Sequence, residues 1–399
     1  MRNISIIGAG QAGLQLGIGL LNAGYHVSLY SRYSAKEILN GSILSSPSMF
    51  NDSLECERKL NLNYWDTVCP KNKTVTYTLS QSNKTEIALR WQGNTIHPYQ
   101  AIDQRLKFSC WIEEFIQLGG QLIIQDVHIK DLSYIARQQE LTIVTSGKGE
   151  ISQLFPINET RTIFDKPQRV LCCLYVKDML SVAYSQGVRA NVIPGIGEYF
   201  ITPGLTLTGT CEMMLFEGLP GGPFDCWQNI TNPDLRLEKA LELLKKFIPW
   251  EAKLCQKIGL TDRQATLHGS FTPVIRKPVF RLPCGKSILG LGDSVILNDP
   301  LGGQGANIAC QAASFYLEKI KAHQNLLFTE TWMHETFELY WQQIAQWAVQ
   351  WTNLLLNPSE TLITLLKVAS TQANMADQLA DGFDNPAKLL STSDHFKLK

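Results

Sequence analysis

Hydrophobic and polar residues fall into blocks whose period changes along the chain. Ile4 to Ile7 are a short apolar run, Gln11 to Ala23 place apolar residues at helical spacing with Gly24 as a stop, and Tyr25 to Tyr30 alternate. This order predicts a strand, a helix and a second strand, a βαβ unit. Ile102 to Leu118 suits another helix, ended by Gly119-Gly120, and Gln121 to Val127 reads as a strand after it. Leu141 to Val144 is a further strand-like run that stops at Thr145-Ser146-Gly147. Between about 165 and 220, β-favouring runs such as Arg169 to Val176 and Tyr199 to Leu207 alternate with Gly and Pro, predicting an antiparallel sheet. Leu235 to Phe247 is an amphipathic helix before Pro249, and helices dominate after Gln304. No repeat and no long Pro/Gly/Ser linker separates these parts, so the folding units interleave.

Composition narrows the class. A chain of 399 residues exceeds the ~150-residue yardstick for one domain, which implies two or three units. With 44% hydrophobic and 18% charged residues it builds a core rather than staying disordered. Lys plus Arg and Asp plus Glu each number 36, so no basic excess exists to neutralise a phosphate backbone or an acidic bilayer. Nucleic acid and membrane are therefore not expected as partners. Neither a signal-peptide pattern nor an apolar run of about 18 residues occurs, and a cytoplasmic location is expected. Ten cysteines contain no CxxC pair and the seven histidines are scattered, so no metal site is predicted and the thiols read as reduced.

Gly8-Ala9-Gly10-Gln11-Ala12-Gly13 matches GxGxxG directly after the first predicted strand. The first glycine permits a tight turn, the second lets backbone approach a pyrophosphate, and the third lets helix and strand pack closely. Phosphate would then sit on the unpaired N–H groups of a helix N-terminus. The acidic residue usual at the end of the second strand is replaced by Ser31, followed by Arg32, so the grip on a ribose hydroxyl loses a charge-assisted bond worth ~1 kcal/mol or more.

A second constellation lies far downstream. Residues 288 to 307 contain Gly292-Asp293, six residues, then Pro300 and the run Gly302, Gly303, Gly305, Asn307 at the start of a helix. The strand Ile288 to Leu291 would deliver Asp293 to a ribitol or ribose hydroxyl. The glycines would expose backbone N–H groups at the N-terminus of the helix Gly305 to Lys321, where a reduced, negatively charged flavin ring is stabilised.

With both motifs in this order, the chain resembles the FAD-dependent monooxygenases of the glutathione-reductase-type flavin fold, and within them the styrene and indole monooxygenase oxygenase subunits. The likeness covers nearly the whole length and rests further on Phe164-Asp165-Lys166-Pro167-Gln168-Arg169, Trp351-Thr352-Asn353 and Met375-Ala376-Asp377. It implies an α/β fold: a Rossmann-type FAD-binding domain with an inserted β-sheet substrate domain and C-terminal helices. The expected division is 1–45, 100–150 and 265–355 for the discontinuous FAD domain, 46–99 and 151–264 for the substrate domain, and 356–399 for the C-terminal helical segment. The resemblance assigns Gly8, Gly10, Gln11, Ala12, Gly13, Ser31, Arg32, Arg105, Val127, Asp293, Pro300, Gly303, Gly305, Ala306 and Asn307 to FAD. Arg105 would lie near the FAD phosphates and the Val127 backbone near adenine.

In the reaction that the resemblance implies, a separate flavin reductase uses NADH to make reduced FAD. The oxygenase then binds it, adds O2 to form a flavin hydroperoxide, and transfers one oxygen to a small aromatic or vinyl-aromatic substrate, giving an epoxide or sulfoxide. Such chemistry asks for positioning and exclusion of water more than for acid–base residues. Single-component hydroxylases of the wider fold carry a third motif with an Asp-Gly pair; here Leu141 to Gly149 has none, which favours the external reductase. A homodimer is compatible with the resemblance. On the substrate side it places Leu44, Ser46, Ser48 and Phe50, with Ser46 as the catalytic-side contact. Ile43, Ser46, Ser48 and Phe50 depart from the styrene-type pattern, and Ser46 is closer to the indole type.

Two other readings stay open: a single-component NAD(P)H-dependent aromatic hydroxylase, and an FAD-binding protein that performs no oxygenation. Trp341, Trp347 and Trp351 with Tyr340 and Leu354 form an aromatic stripe that reads as core packing, with a substrate-cavity wall as the alternative. His97 reads as structural, and Asp394 to Lys399 as a solvated tail.

Overall fold

The N-terminal βαβ unit forms where the pattern places it, as strand Asn3–Ile7, helix Gln11–Asn22 and strand His26–Ser31. The computed structural model describes residues 2–81, 85–181 and 186–392, so the tail from Asp394 lies outside the described residues. A parallel sheet is built around this unit in the order Val279–Arg281, Ser287–Gly290, Leu141–Val144, Asn3–Ile7, His26–Ser31, Gln121–Ile124. Only the hairpin partner Val279–Arg281 runs antiparallel. Its central strands are buried on both faces: all four residues of Leu141–Val144 are buried, the polar Thr142 included.

Helix Gln11–Asn22 is buried from Gln11 through Leu20 because it lies between this sheet and helix Gly305–His323. Glycines at Gly17 and Gly19 each cost about 0.5–1 kcal/mol relative to alanine in a helix. Close packing requires them: a Cβ at Gly19 would lie 2.5 Å from Leu317 Cδ2, and one at Gly17 3.1 Å from the Phe115 ring. Helix Gln104–Gln117 contributes Trp111, Ile112 and Phe115 to the same core, and Trp111 Nε1 donates to Leu62 O at 3.0 Å.

A second, mostly antiparallel sheet follows the order Gly259–Leu260, Val170–Lys177, Gly209–Gly218, Gly197–Thr206, Gly187–Ile193, Asn72–Ser80, Ile87–Tyr99. Asn72–Ser80 joins it through a parallel pairing with Gly187–Ile193, so residues well before 165 belong to this layer. Helix Pro233–Phe247 covers one face around Phe216, Phe224 and Trp227. The free edge of Ile87–Tyr99 is covered by helix Ala373–Asp381. There Asp377 accepts from Asn94 N at 2.6 Å and Asp381 from Ile96 N at 3.1 Å. Gly93 lets the helix close in, since a Cβ there would stand 2.0 Å from Ala376 O. The Met375-Ala376-Asp377 motif is thus an edge cover, a device against stray strand pairing.

Candidate functional site

The glycine turn is held by sterics that each residue makes visible. Gly8 has φ +119, and a Cβ on it would meet Thr145 Oγ1 at 2.7 Å and Ser146 N at 2.9 Å. A Cβ on Gly13 would fall 1.9 Å from Gly8 O. Gly10 is different: a Cβ there meets nothing within 4 Å, so its backbone faces open space above the turn. Thr145 Oγ1 donates to Gly8 O at 2.8 Å and thereby pins the turn from the neighbouring strand end. Thr145 was legible only as a strand stop, and nothing in its local sequence shows that it reaches the carbonyl of Gly8.

The downstream motif comes to the same place. A Cβ on Gly292, at φ +65, would lie 3.3 Å from the Ala12 Cβ, and one on Gly147 would lie 2.3 Å from the Asp293 Cβ. Asp293 therefore stands beside the glycine turn, backed by the segment after Leu141–Val144. Solvent reaches its side chain while protein packs around its base. That packing pushes the carboxyl up to about 6, the Lys148 charge pulls the other way, and the open side limits the effect.

Two helices start in this region without side-chain caps, Gln11–Asn22 and Gly305–His323, and neither first turn carries an acid. Their unpaired N–H groups and positive dipole ends favour anionic groups. A Cβ on Gly305 also meets nothing within 4 Å. Open backbone at Gly10 and Gly305, with the exposed Asp293 carboxyl beside the glycine turn, fits a dinucleotide with a pyrophosphate at one end and an electron-accepting ring at the other.

Asn307 ties the second helix to the Leu44 to Phe50 segment. Its Nδ2 donates to Ser48 O at 2.7 Å and Gly303 O at 2.8 Å, while its Oδ1 accepts from Phe50 N at 2.9 Å. Phe50 is buried against Tyr99 and Phe383, ring centroids 5.4 and 6.2 Å away, and against Gly303, whose φ of +65 sets the turn before the helix. Leu44 is exposed, Ser46 and Ser48 are half-buried, and Ser45 O accepts from Tyr175 OH at 2.6 Å. Asn307 thus ties loop, turn and helix start together by three hydrogen bonds.

The remaining sequence motifs converge behind that turn. Trp351 is buried edge-on to Phe383 at 5.2 Å, and Thr352 Oγ1 would lie 2.7 Å from a Cβ on Gly302. Arg169 makes a two-pronged pair with Glu198, Nε to Oε2 at 2.6 Å and Nη2 to Oε1 at 2.9 Å. Beside this pair lie Asp299, whose Oδ1 accepts from Leu301 N at 3.1 Å, and Glu217, fully buried with no partner for either oxygen among the described residues. Burial, with Asp299 and Glu198 nearby, pushes Glu217 well above the usual carboxylate range, and burial pushes Asp299 up to about 6. That shift favours the protonated, uncharged form of Glu217 over the carboxylate. Neither acid stood out in the sequence, because strand Gly209–Gly218 and the Asp299 loop are far apart along the chain and are neighbours only in the fold.

Some residues sit away from their expected role. Arg105 is buried and every N–H donor is spent: on Asp103 at 2.7–3.2 Å, on Asp262 at 2.8 and 3.0 Å, and on Gly41 O at 3.2 Å. It knots loops together and has no donor left for a phosphate. Ser31 is buried and its hydroxyl donates to Tyr33 O at 2.5 Å, so no free serine proton points to a ribose. Arg32 is exposed and pairs with Asp126 at 3.3 Å. Val127 is buried beyond the end of strand Gln121–Ile124, which stops earlier than the apolar pattern implied. Gln11 turns inward to Gln15 and Glu57, each at 3.0 Å. Ala306 packs under the helix start, and Pro300 opens the turn. His97 is exposed near Asp52 and Asp384. In the aromatic stripe Trp351 is core, whereas Trp347 lines a groove outside the cleft. Among the described residues no cluster could hold a metal ion, and no helix is long and apolar enough to cross a membrane.

Comparison with known proteins adds the following. Residues 147–253 match the family described as "Styrene monooxygenase A putative substrate binding domain". The chain is 28% identical over 399 residues to styrene monooxygenase StyA of Pseudomonas fluorescens, covering 97% of this chain and 94% of that one, with the same figures for StyA of a Pseudomonas species. Among solved structures, a flavoprotein/dehydrogenase from Cytophaga hutchinsonii superposes with a TM-score of 0.69 at 11% identity, over 96% of this chain and 92% of that one. The flavin-dependent brominase Bmp2 gives 0.62 at 13%, over 97% of both chains. These structural likenesses establish a flavoprotein-type fold.

Proposed function

We propose that this chain, an FAD-dependent monooxygenase related to the styrene monooxygenases, places one atom of O2 on a small aromatic or vinyl-aromatic compound using reduced FAD from a separate reductase. Epoxidation of a vinyl group or oxidation of a sulfur are the reactions proposed, with styrene and indole as first substrates to try. Gly8, Gly10 and Gly13 would receive the pyrophosphate and Asp293 the ribitol. The flavin ring would lie along Gly303, Gly305, Ala306 and Asn307, with Pro300 beside it. Leu44, Ser46, Ser48 and Phe50 would form the substrate side, Ser46 offering a hydroxyl.

When bound, FAD supplies the activation of oxygen. The chain's own work is positional. The Gly305–His323 dipole favours negative charge on the ring, Asn307 fixes the substrate loop against the same helix, and buried Phe50 and Trp351 keep water from behind the turn. Burial of Glu217 next to Asp299 disfavours negative charge on both carboxyls close to the turn from Pro300 to Gly303. The observation that carries this reading is the Asn307 clamp, which couples the expected ring-binding turn to the expected substrate loop.

Supply by a separate reductase is supported by the Thr145 to Gly149 stretch, where Thr145 is committed to Gly8 O and Gly147 to contact with Asp293. The test is a coupled assay with styrene or indole, FAD, NADH and a purified NADH:FAD reductase. Oxygenated product is expected only with the reductase present. Equal turnover with NADH alone would overturn the two-component reading in favour of a single-component hydroxylase.

A further inference from the structure

Helices Asn51–Lys59 and Gly305–His323 cross behind the cleft, and a cysteine from each meets at the crossing. Cys310 is completely buried, in a cluster with Met49, Leu54, Ala306 and Cys56, and its single Sγ proton has two acceptors in reach, Ser53 O at 3.2 Å and the Cys56 sulfur. Cys56 is half-buried, packs against the cluster that holds Cys310, and shares its groove with Ser314. The other side of Cys56 opens onto a groove of about 520 Å³ whose lining includes Gln311, Ser314, Phe315, Ile344 and Trp347. One thiol is thus reachable by a small solute, and its partner is shielded and in hydrogen-bonding contact with it.

From this geometry we propose that Cys56 and Cys310 form a peroxide-reactive thiol pair, with Cys56 attacked from the groove and Cys310 closing the disulfide. The oxidant is hydrogen peroxide, which a flavin monooxygenase releases when oxygen is reduced without oxygenating substrate. The inference rests on the proposed function only for that source, and the test below supplies peroxide directly. In the first step the Cys56 thiolate attacks one peroxide oxygen, the O–O bond breaks and hydroxide leaves, giving a sulfenic acid and reducing the peroxide by two electrons. In the second, Cys310 sulfur attacks Cys56 sulfur, the S–O bond breaks, and the departing hydroxide takes the Cys310 proton to leave as water.

The chemistry around each sulfur matches these roles. Hydrogen bonds from Cys310 and Ser314, aided by the Lys59 charge, bring Cys56 down to about 7 against burial and Asp52, so thiolate is abundant at neutral pH. Burial, the bond to Cys56 and nearby Glu57 push Cys310 well up, with Lys107 opposing, so it stays protonated until it is called on. Other buried thiols, Cys69, Cys172, Cys173, Cys211 and Cys255, are pushed up by burial, as are half-buried Cys110 and Cys226. Cys284 is also lowered, but its hydrogen-bond partners are Ser133 and backbone, so it serves as an internal control without a resolving thiol.

Purified full-length protein is treated with roughly ten equivalents of hydrogen peroxide and mapped by mass spectrometry without reduction. The expected product is a Cys56–Cys310 linked peptide about 2 Da below the sum of its two parts, formed before Cys110 or Cys226 reacts. Cys56→Ser should abolish the link while Cys284 still oxidises, and Cys310→Ser should leave a Cys56 sulfenate that dimedone traps. Cys56 and Cys310 remaining reduced at doses that oxidise Cys284 would overturn the proposal. So would a wild-type Cys56 sulfenate that accumulates with no disulfide.

Discussion

Replacing Gly10 and Gly13 by alanine separates what the glycine turn does for the fold from what it does for FAD. Gly10 has φ −95 and ψ −165, an extended conformation that alanine adopts freely, and its added methyl meets no protein atom within 4 Å. In the free protein Gly10→Ala should be neutral or should stabilise by about 0.4–1 kcal/mol, through the reduced entropy of the unfolded chain. The methyl would, however, occupy the space assigned to the pyrophosphate. Loss of a charge-assisted backbone contact worth about 1.5–3 kcal/mol corresponds to FAD binding weakened roughly 10- to 150-fold. Gly13→Ala meets Gly8 O at 1.9 Å, backbone that cannot swing aside, so it should destabilise the free protein by about 1–3 kcal/mol or more and also weaken FAD. Thermal unfolding of FAD-free protein and FAD titration by fluorescence quenching read the two effects. Wild-type FAD affinity in Gly10→Ala would refute the placement of the pyrophosphate, and equal unfolding temperatures for the two variants would refute the steric argument for Gly13.

Arg105→Ala should cost about 3–5 kcal/mol of stability by stranding Asp103 and Asp262, with little change in FAD affinity when titrated below the unfolding transition. A loss confined to FAD binding would show that this arginine serves the phosphates after all. Asn307→Ala leaves the buried Phe50 N and Ser48 O without partners, at about 1–3 kcal/mol each. It should raise KM for the aromatic substrate and divert oxygen to free peroxide, measured as product formed per O2 consumed. Glu217, raised in the folded state, gives stability that is fully present below its unfolded pKa of about 4.3 and is lost as pH rises toward the folded value, by up to about 1.4 kcal/mol per pH unit. Glu217→Gln should therefore flatten the fall in denaturant-derived stability as pH rises above the ordinary carboxylate range. An unchanged slope would place that carboxyl in a solvated setting.

Much of this molecule is legible in its sequence because local rules and the fold agree. GxGxxG follows a buried strand and opens a helix, and the glycines fail or tolerate a Cβ at the positions where sterics and phosphate access require it. The strand Asn72–Ser80 was not legible: its sequence NKTVTYTLS buries Thr74, Thr76 and Thr78, so an interior face made of hydroxyls hid from a hydrophobic pattern. Arg105 shows a second limit. Its local motif matches a phosphate-binding arginine, but its charge is claimed by Asp262, 157 positions away, which no local pattern can foresee. Glu217 and Asp299 come close only in the folded chain, and Thr145 reaches Gly8 only because Leu141–Val144 pairs with Asn3–Ile7.

A single turnover without nicotinamide cofactor separates oxygen transfer to substrate from simple reoxidation of the flavin. Protein holding chemically reduced FAD under anaerobic conditions is mixed with ¹⁸O₂ and styrene, and the products are analysed by mass spectrometry. One ¹⁸O atom in the epoxide, with no NADH present, is the predicted result. Release of all the oxygen as labelled hydrogen peroxide, with styrene and indole both unchanged, would contradict it.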